Sequence, residues 1–280
     1  MKKKVRIFFI IILCCVFVYS IFNVVKSYLE YKEAEDIYAQ AEERFITFLP
    51  EEPALELMES KEKHEENAAP SSKDPLLPDN ISVDFESLKK INSEVIGWIY
   101  VPETVISYPL LQGKDNNHYL YYAYQGTYNS SGSIFMDYRN SSDLSDPRTL
   151  IYGHNMLNGS QFTVLKKYSG QDFYETHPRF YIITETGYLA YDIFSAHRAH
   201  TLSDVYQSDT STEEGFSAFL SFAVKNSDID TGIEVGTKDK IVTLSTCTSY
   251  EINERFVVHG KLVEDTRKDI TADTQGTSGE

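Results

Sequence analysis

Residues 240–263 read KIVTLSTCTSYEINERFVVHGKLV. Two β-branched runs, 240–247 and 255–263, flank a short polar segment, TSYEINE. Runs of Val, Ile, Thr and Phe bounded by polar turn residues are strand signals, so this stretch predicts two adjacent antiparallel strands. Such a pair brings facing ends together. Cys247, at the end of the first run, would then lie close to Arg255, at the start of the second, eight residues later. A strand end is a good seat for a nucleophile, because the backbone is fixed while the side chain can face a groove. A free cysteine is more often a small buried hydrophobe, so the thiol needs partners before it implies chemistry.

Upstream, the body carries further short strand-like runs at 96–101, 105–111, 133–138 and 149–152. The segments 180–183 and 188–194 flank Thr184-Glu185-Thr186-Gly187, a hairpin signal. Phe85, Leu88 and Ile91 suggest a short helix, and 162–168 a helical turn. Phe216, Phe219, Leu220 and Ala223 give an i, i+3, i+4, i+7 face, and Ser211 with Glu214 fits a capping box, so a helix is predicted over 212–226. Many short strands with one inserted helix predict a mainly β fold, either a closed barrel or a sandwich.

The N-terminus is different in kind. Residues 5–25, VRIFFIIILCCVFVYSIFNVV, form an almost unbroken apolar run. Twenty-one helical residues rise about 30 Å, the hydrocarbon thickness of a bilayer. Lys2, Lys3 and Lys4 precede it. Positive residues stay cytoplasmic, which predicts residues 1–4 inside, a single-pass signal anchor at 5–25, and the body outside the cell membrane. A cleaved signal peptide is the competing reading, but Ile21, Phe22, Val24 and Val25 occupy the place of a small-residue cleavage site. Residues 26–80 are expected to be a stalk and linker. Ala34, Ile37, Tyr38, Ala41, Phe45 and Phe48 make one apolar stripe at helical spacing, able to pack on the body, the membrane surface or another copy, and 67–80 holds three prolines. Residues 81–265 are expected to be the globular domain and 266–280 a polar disordered tail. Deleting 1–80 is expected to leave that domain soluble.

The 280-residue chain is 41% hydrophobic with 20 tyrosines, a composition able to build a core, and its formal charge is -16. Residues 1–25 contribute +4, so the remainder carries -20. This excludes a nucleic-acid partner of the ordinary kind, which needs concentrated Lys and Arg. Cys14 and Cys15 lie in the apolar run, leaving Cys247 without an intramolecular disulfide partner in the body.

Among seven histidines, His154 lies in Tyr152-Gly153-His154-Asn155-Met156, directly after the strand-like TLIY. A glycine beside it permits a tight turn and close approach of a substrate. His118, His177, His197, His200 and His259 read as surface or strand-end groups. His197-x-x-His200 lacks a well-spaced third ligand, so no metal is expected. Tyr119, Tyr121, Tyr122, Tyr124 and Tyr128 could form a carbohydrate platform, but packing is the commoner use of such a cluster. Cys247, His154 and Arg255 together supply a thiol, a proton carrier and an oxyanion donor.

Together these motifs resemble the sortases. TLSTC followed by Arg255, and the upstream YGHNM, match the family's cysteine, arginine and histidine segments. INSEVIGWI at 91–99, YPLLQG at 108–113, GSIFMDYRN at 132–140 and the helix-bearing insert at 201–227 are similar to class B, over about 82–264. The resemblance implies an eight-stranded barrel with N-terminal helices and a helix before the cysteine strand. It implies a cysteine transpeptidase that cleaves a C-terminal sorting motif after Thr, with Cys247 as nucleophile, His154 as acid/base and Arg255 as oxyanion stabiliser. Leu120, Ser245, Thr246 and Asn116 fall at substrate-groove positions. The implied partners are sorting-motif surface proteins and a peptidoglycan precursor amine, or a pilin lysine, on a Gram-positive surface, with no cofactor. Three alternatives remain open at this point: a pilin-polymerising sortase, a hydrolytic cysteine peptidase, and a binding domain on a degenerate fold. The order His before Cys and the absence of a Q-A-C-x-G signature argue against papain-like and caspase-like peptidases.

Overall fold

The computed structural model describes residues 2–48, 81–248 and 252–267, with side chains from residue 5 onward and not at Phe48. The linker expected at 67–80 and the tail beyond 267 lie outside the described residues.

Helix α1 runs Lys2–Phe45, and β1 (Ile46–Phe48) pairs antiparallel with β2 (Ile81–Val83). Helix α2, Phe85–Ile91, begins where the Asp84 carboxylate accepts the Ser87 N–H at 2.9 Å. There follow β3 (Val95–Tyr100), β4 (Ser107–Leu111), β5 (Ile134–Met136), β6 (Arg148–Tyr152) and a 3₁₀ helix at Phe162–Ser169. Next come α3 (Gln171–Thr176), β7 (Arg179–Thr184) and β8 (Gly187–His200). The chain finishes with α4 (Asp204–Gln207), α5 (Glu213–Lys225), β9 (Ile241–Cys247) and β10 (Glu254–Asp265).

Strands β3 to β10 close into an eight-stranded barrel in the order β10-β8-β7-β3-β4-β5-β6-β9. This resolves the choice between barrel and sandwich. Local hydrophobic pattern is the same in both; closure depends on which distant strands pair. The pairings that decide it are parallel, β4 with β5 and β6 with β9, between segments joined by long connections. The predicted hairpin joins β7 and β8 with Thr184 opposite Gly187, and β8 then continues six residues beyond the expected end at 194.

Alternation puts Trp98, Leu110, Ile151, Phe180, Ile182, Leu244, Phe256 and Val258 in the main core, all essentially buried. Helix α5 covers the outer face of the barrel through Phe216, Phe219, Leu220 and Ala223, which pack on Phe194 and Ile241. Its cap is Thr212, whose hydroxyl accepts the Gly215 N–H at 3.1 Å. The expected capping box at Ser211 does not form, because the helix starts one residue later, at the Thr212 cap; the Ser211 hydroxyl instead donates to Asp209 at 2.6 Å.

The apolar stripe on α1 packs on the body. Ala34, Tyr38, Ala41 and Phe45 are buried, and the last three belong to the main core. The Tyr38 ring meets Tyr108 edge-on at 5.2 Å between centroids, and Phe45 meets Tyr124 in the same way. A domain cut at residue 81 therefore removes side chains that the core contains. The N-terminal half of α1 is exposed, and this helix is long and apolar enough to cross a membrane.

Candidate active site

Strands β9 and β10 set Cys247 directly opposite Arg255, with Thr246 opposite Phe256 and Ser245 opposite Val257. The Cys247 thiol is exposed rather than packed in the core. On its other side β9 runs parallel to β6, with Ser245 beside Tyr152, and the Gly153 N–H continues the ladder to Ser245 O at 3.1 Å. His154 follows at once. Thus three segments far apart in the chain end at one rim of the barrel.

They line one cavity of about 220 Å³, together with Asn116, Leu120, Phe135, Tyr152, Gly153, Ser245 and Thr246. All seven residues singled out in the sequence border this space. Gly153 is needed there for packing: a Cβ would lie 2.6 Å from the Phe162 ring.

His154 is held at both ends. Its backbone N–H donates to Gln161 Oε1 at 3.0 Å, and its ring Nε2 lies 3.0 Å from Leu120 O. A carbonyl can only accept, so Nε2 carries the proton and Nδ1 is the nitrogen left to exchange one. Burial pushes the His154 pKa below the ordinary histidine value, and the Leu120 carbonyl, which favours the charged ring, offsets this only in part.

The Arg255 Nη1 donates to Ile252 O at 2.9 Å and Glu254 O at 3.0 Å, which orients the guanidinium from within its own turn. The Asn116 amide is committed: Nδ2 donates to Asp137 at 2.9 Å and Oδ1 accepts the Tyr138 N–H. Asp137 is buried, which alone would raise its pKa. Hydrogen bonds from Arg139, Tyr152 and Asn116 outweigh burial and hold it at about 2. The Ser245 hydroxyl is braced by Tyr206 at 2.7 Å, and the Thr246 hydroxyl is buried without a partner.

Sequence reading missed Phe135, Tyr152, Asp137, Tyr206 and Gln161. The TLIY and GSIFMDYRN segments contain the first three, but only the β5–β6–β9 pairing brings Phe135 and Tyr152 to the wall of the Cys247 cavity, with Asp137 bonded behind them to the Tyr152 hydroxyl. Two histidines taken for surface or strand-end groups are buried. The rings of His197 and His259 lie tilted against each other, 5.1 Å apart between centroids, under α5 and beside Ser195 and Thr243. On the barrel's outer face they are covered by a helix that strand periodicity does not reveal. Because β8 alternates, His197 and His200 sit on opposite faces, one buried and one exposed, and do not converge on a metal. Of the tyrosine cluster, Tyr119 and Tyr124 are buried, whereas Tyr121 and Tyr128 are exposed.

Comparison with known proteins agrees with this geometry. The Sortase domain family matches residues 99–263. Sortase B of Staphylococcus aureus is 30% identical over 266 residues, covering 94% of this chain and 98% of that protein. Sortase B of Listeria monocytogenes is 39% identical over 184 residues, 64% of this chain and 74% of that protein. A solved Staphylococcus aureus sortase B–substrate complex superimposes with a TM-score of 0.66 at 31% identity, covering 84% of this chain and 99% of that one. The chain belongs to the sortase family of transpeptidases, in the class that sortase B represents.

Proposed function

We propose that this protein cleaves a C-terminal sorting motif after Thr and transfers the new threonyl end to an amine of a peptidoglycan precursor. The observation that carries the reading is the convergence of an exposed thiol, an imidazole and a guanidinium on one cavity. As the Cys247 thiol proton passes to His154 Nδ1, Sγ attacks the threonyl carbonyl carbon, and the carbonyl oxygen becomes an oxyanion. Arg255 donates to that oxyanion, the stabilisation on which acyl transfer most depends. The C–N bond breaks, and the leaving amine takes a proton from His154 Nδ1. The resulting thioester holds the acyl group until the acceptor amine attacks it. That amine loses a proton to His154 as the C–S bond breaks and the sulfur is released.

Leu120, Asn116, Ser245 and Thr246 line the groove that would take the motif. Asn116, tied to Asp137, is better suited to shaping the wall than to swinging onto a ligand. Residues 5–25 would cross the bilayer with 1–4 inside, setting the barrel at the outer face where exported proteins emerge.

The test is a purified protein given a panel of sorting-motif peptides and an amine acceptor. Transpeptidation predicts a ligated product that grows with acceptor concentration at the expense of hydrolysis. Hydrolysis unaffected by saturating amine would identify a peptidase instead.

A further inference from the structure

Gln161 occupies backbone that its side chain does not favour. It is non-glycine, 1% exposed, and has φ 51° and ψ -130°. A non-glycine residue there is strained and persists only when its surroundings fix it. Those surroundings are hydrogen bonds. The Gln161 N–H donates to Tyr108 Oη at 3.0 Å. Its Oε1 accepts the His154 N–H, while Nε2 donates to Ser131 O at 2.5 Å and Gly132 O at 3.3 Å. A glycine would relieve the strain but would lose this clamp.

The turn at 131–133 is a junction for two further parts of the molecule. On one side it supports Leu120, the carbonyl partner of the His154 ring. The Ser133 N–H donates to Tyr119 O at 2.9 Å, and Gly132, at φ 53°, packs so closely that a Cβ would lie 2.6 Å from Leu120 O. On the other side stands α1. Tyr38 Oη donates to Gly132 O at 2.5 Å and lies 2.9 Å from Ser133 Oγ. About two helical turns before Tyr38, Glu30 accepts from Asn129 Nδ2 through its carbonyl and from Ser130 Oγ through its carboxylate. The 131–133 turn thus grips His154 twice, by its backbone through Gln161 and by its ring through Leu120. It is itself gripped by the helix that continues from the apolar N-terminal segment.

We propose that Gln161 and Tyr38 are positioning residues for His154, so that docking of α1 on the 129–133 segment helps set the geometry of proton transfer. This rests on the reading of His154 as the proton carrier. Neither residue touches the reacting atoms: Gln161 holds the His154 backbone N–H while anchored on the Ser131 and Gly132 carbonyls, and Tyr38 acts through the Gly132 carbonyl.

The test uses the full-length protein in detergent micelles, with peptide cleavage followed at varied pH and the His154 ring followed by NMR. Gln161→Ala is expected to lower kcat about 10- to 100-fold with KM for the peptide little changed, as for a misplaced reacting group. Tyr38→Phe keeps the ring against Tyr108 but removes the hydroxyl that meets Gly132 O and Ser133 Oγ. A fivefold fall in kcat is expected, corresponding to about 1 kcal/mol. Both should shift the His154 ring resonances and move the pH profile, while Glu33→Ala, on the exposed side of α1, should not. If Gln161→Ala does not fold, Tyr38→Phe carries the test. Unchanged kcat, pH profile and His154 resonances in Tyr38→Phe would overturn the proposal. His154→Ala separates the two levels: if it retains turnover, the proton-carrier reading fails. If it is inactive while Tyr38→Phe behaves as the parent, only the positioning fails.

Discussion

The two halves of the candidate site are held in different ways. Cys247 and Arg255 face each other across a regular antiparallel ladder, where backbone hydrogen bonds fix both ends. His154 lies just past a strand end, and its position depends on a buried glutamine, the Leu120 carbonyl and, beyond them, a tyrosine from α1. A ladder tolerates side-chain change because its frame is backbone. A loop clamped by side chains does not. Substitutions on the ladder side should therefore remove chemistry without disturbing the fold, while those behind His154 should misalign it.

The largest effect expected is for Cys247→Ala, which should abolish acyl transfer, a loss of at least about 10⁴-fold. The thiol is exposed, so the melting temperature should be unchanged. Measurable thioester formation in this variant would place the nucleophile elsewhere. Arg255→Ala should lower kcat by about 10²–10³-fold, the usual cost of removing an oxyanion donor. Near-parental turnover would remove Arg255 from its role.

On the other side of the comparison, Phe45→Ala tests whether α1 belongs to the body. Phe45 is 1% exposed in the main core, and losing a buried Phe costs about 3–5 kcal/mol. A chemical denaturation midpoint equal to that of the parent would show that the helix contributes no core. By the same argument, deleting 1–80 should leave a less stable domain than deleting 1–25.

A further effect concerns acid. Burial pushes the His197 pKa down to about 4, and that of His259 is also depressed, by burial first and then by His197 and Arg148. Both rings are neutral in the folded state, and the unfolded chain binds protons more readily below pH 6.5. Stability should thus be level above pH 6.5 and fall as pH drops from 6.5 towards 4, by up to about 1.4 kcal/mol per pH unit for each histidine. His197→Phe should flatten that slope; an unaltered slope would exclude His197 as its source.

What could be read in the sequence follows the same division. The eight-residue spacing from Cys247 to Arg255 implies pairing because a short polar loop between two β-branched runs has few other options. His154 was found from Gly153 and the strand before it. Gln161, Tyr38 and the 131–133 turn were not legible, since their contacts join positions roughly 30 to 95 residues apart. Nothing local in NGSQF marks Gln161 as strained or buried. Barrel closure came from the resemblance and not from the strand pattern itself, as it depends on the parallel β6–β9 pairing, and the burial of His259 depends on α5 arriving from another part of the chain.

The most direct test is to incubate the protein with a sorting-motif peptide without acceptor, then locate any covalent adduct by mass spectrometry. The expected result is the peptide's N-terminal fragment, ending in threonine, joined to the segment containing Cys247 and released by hydroxylamine. Cleavage of the peptide with no adduct at Cys247, or with the adduct on another residue, would contradict the account.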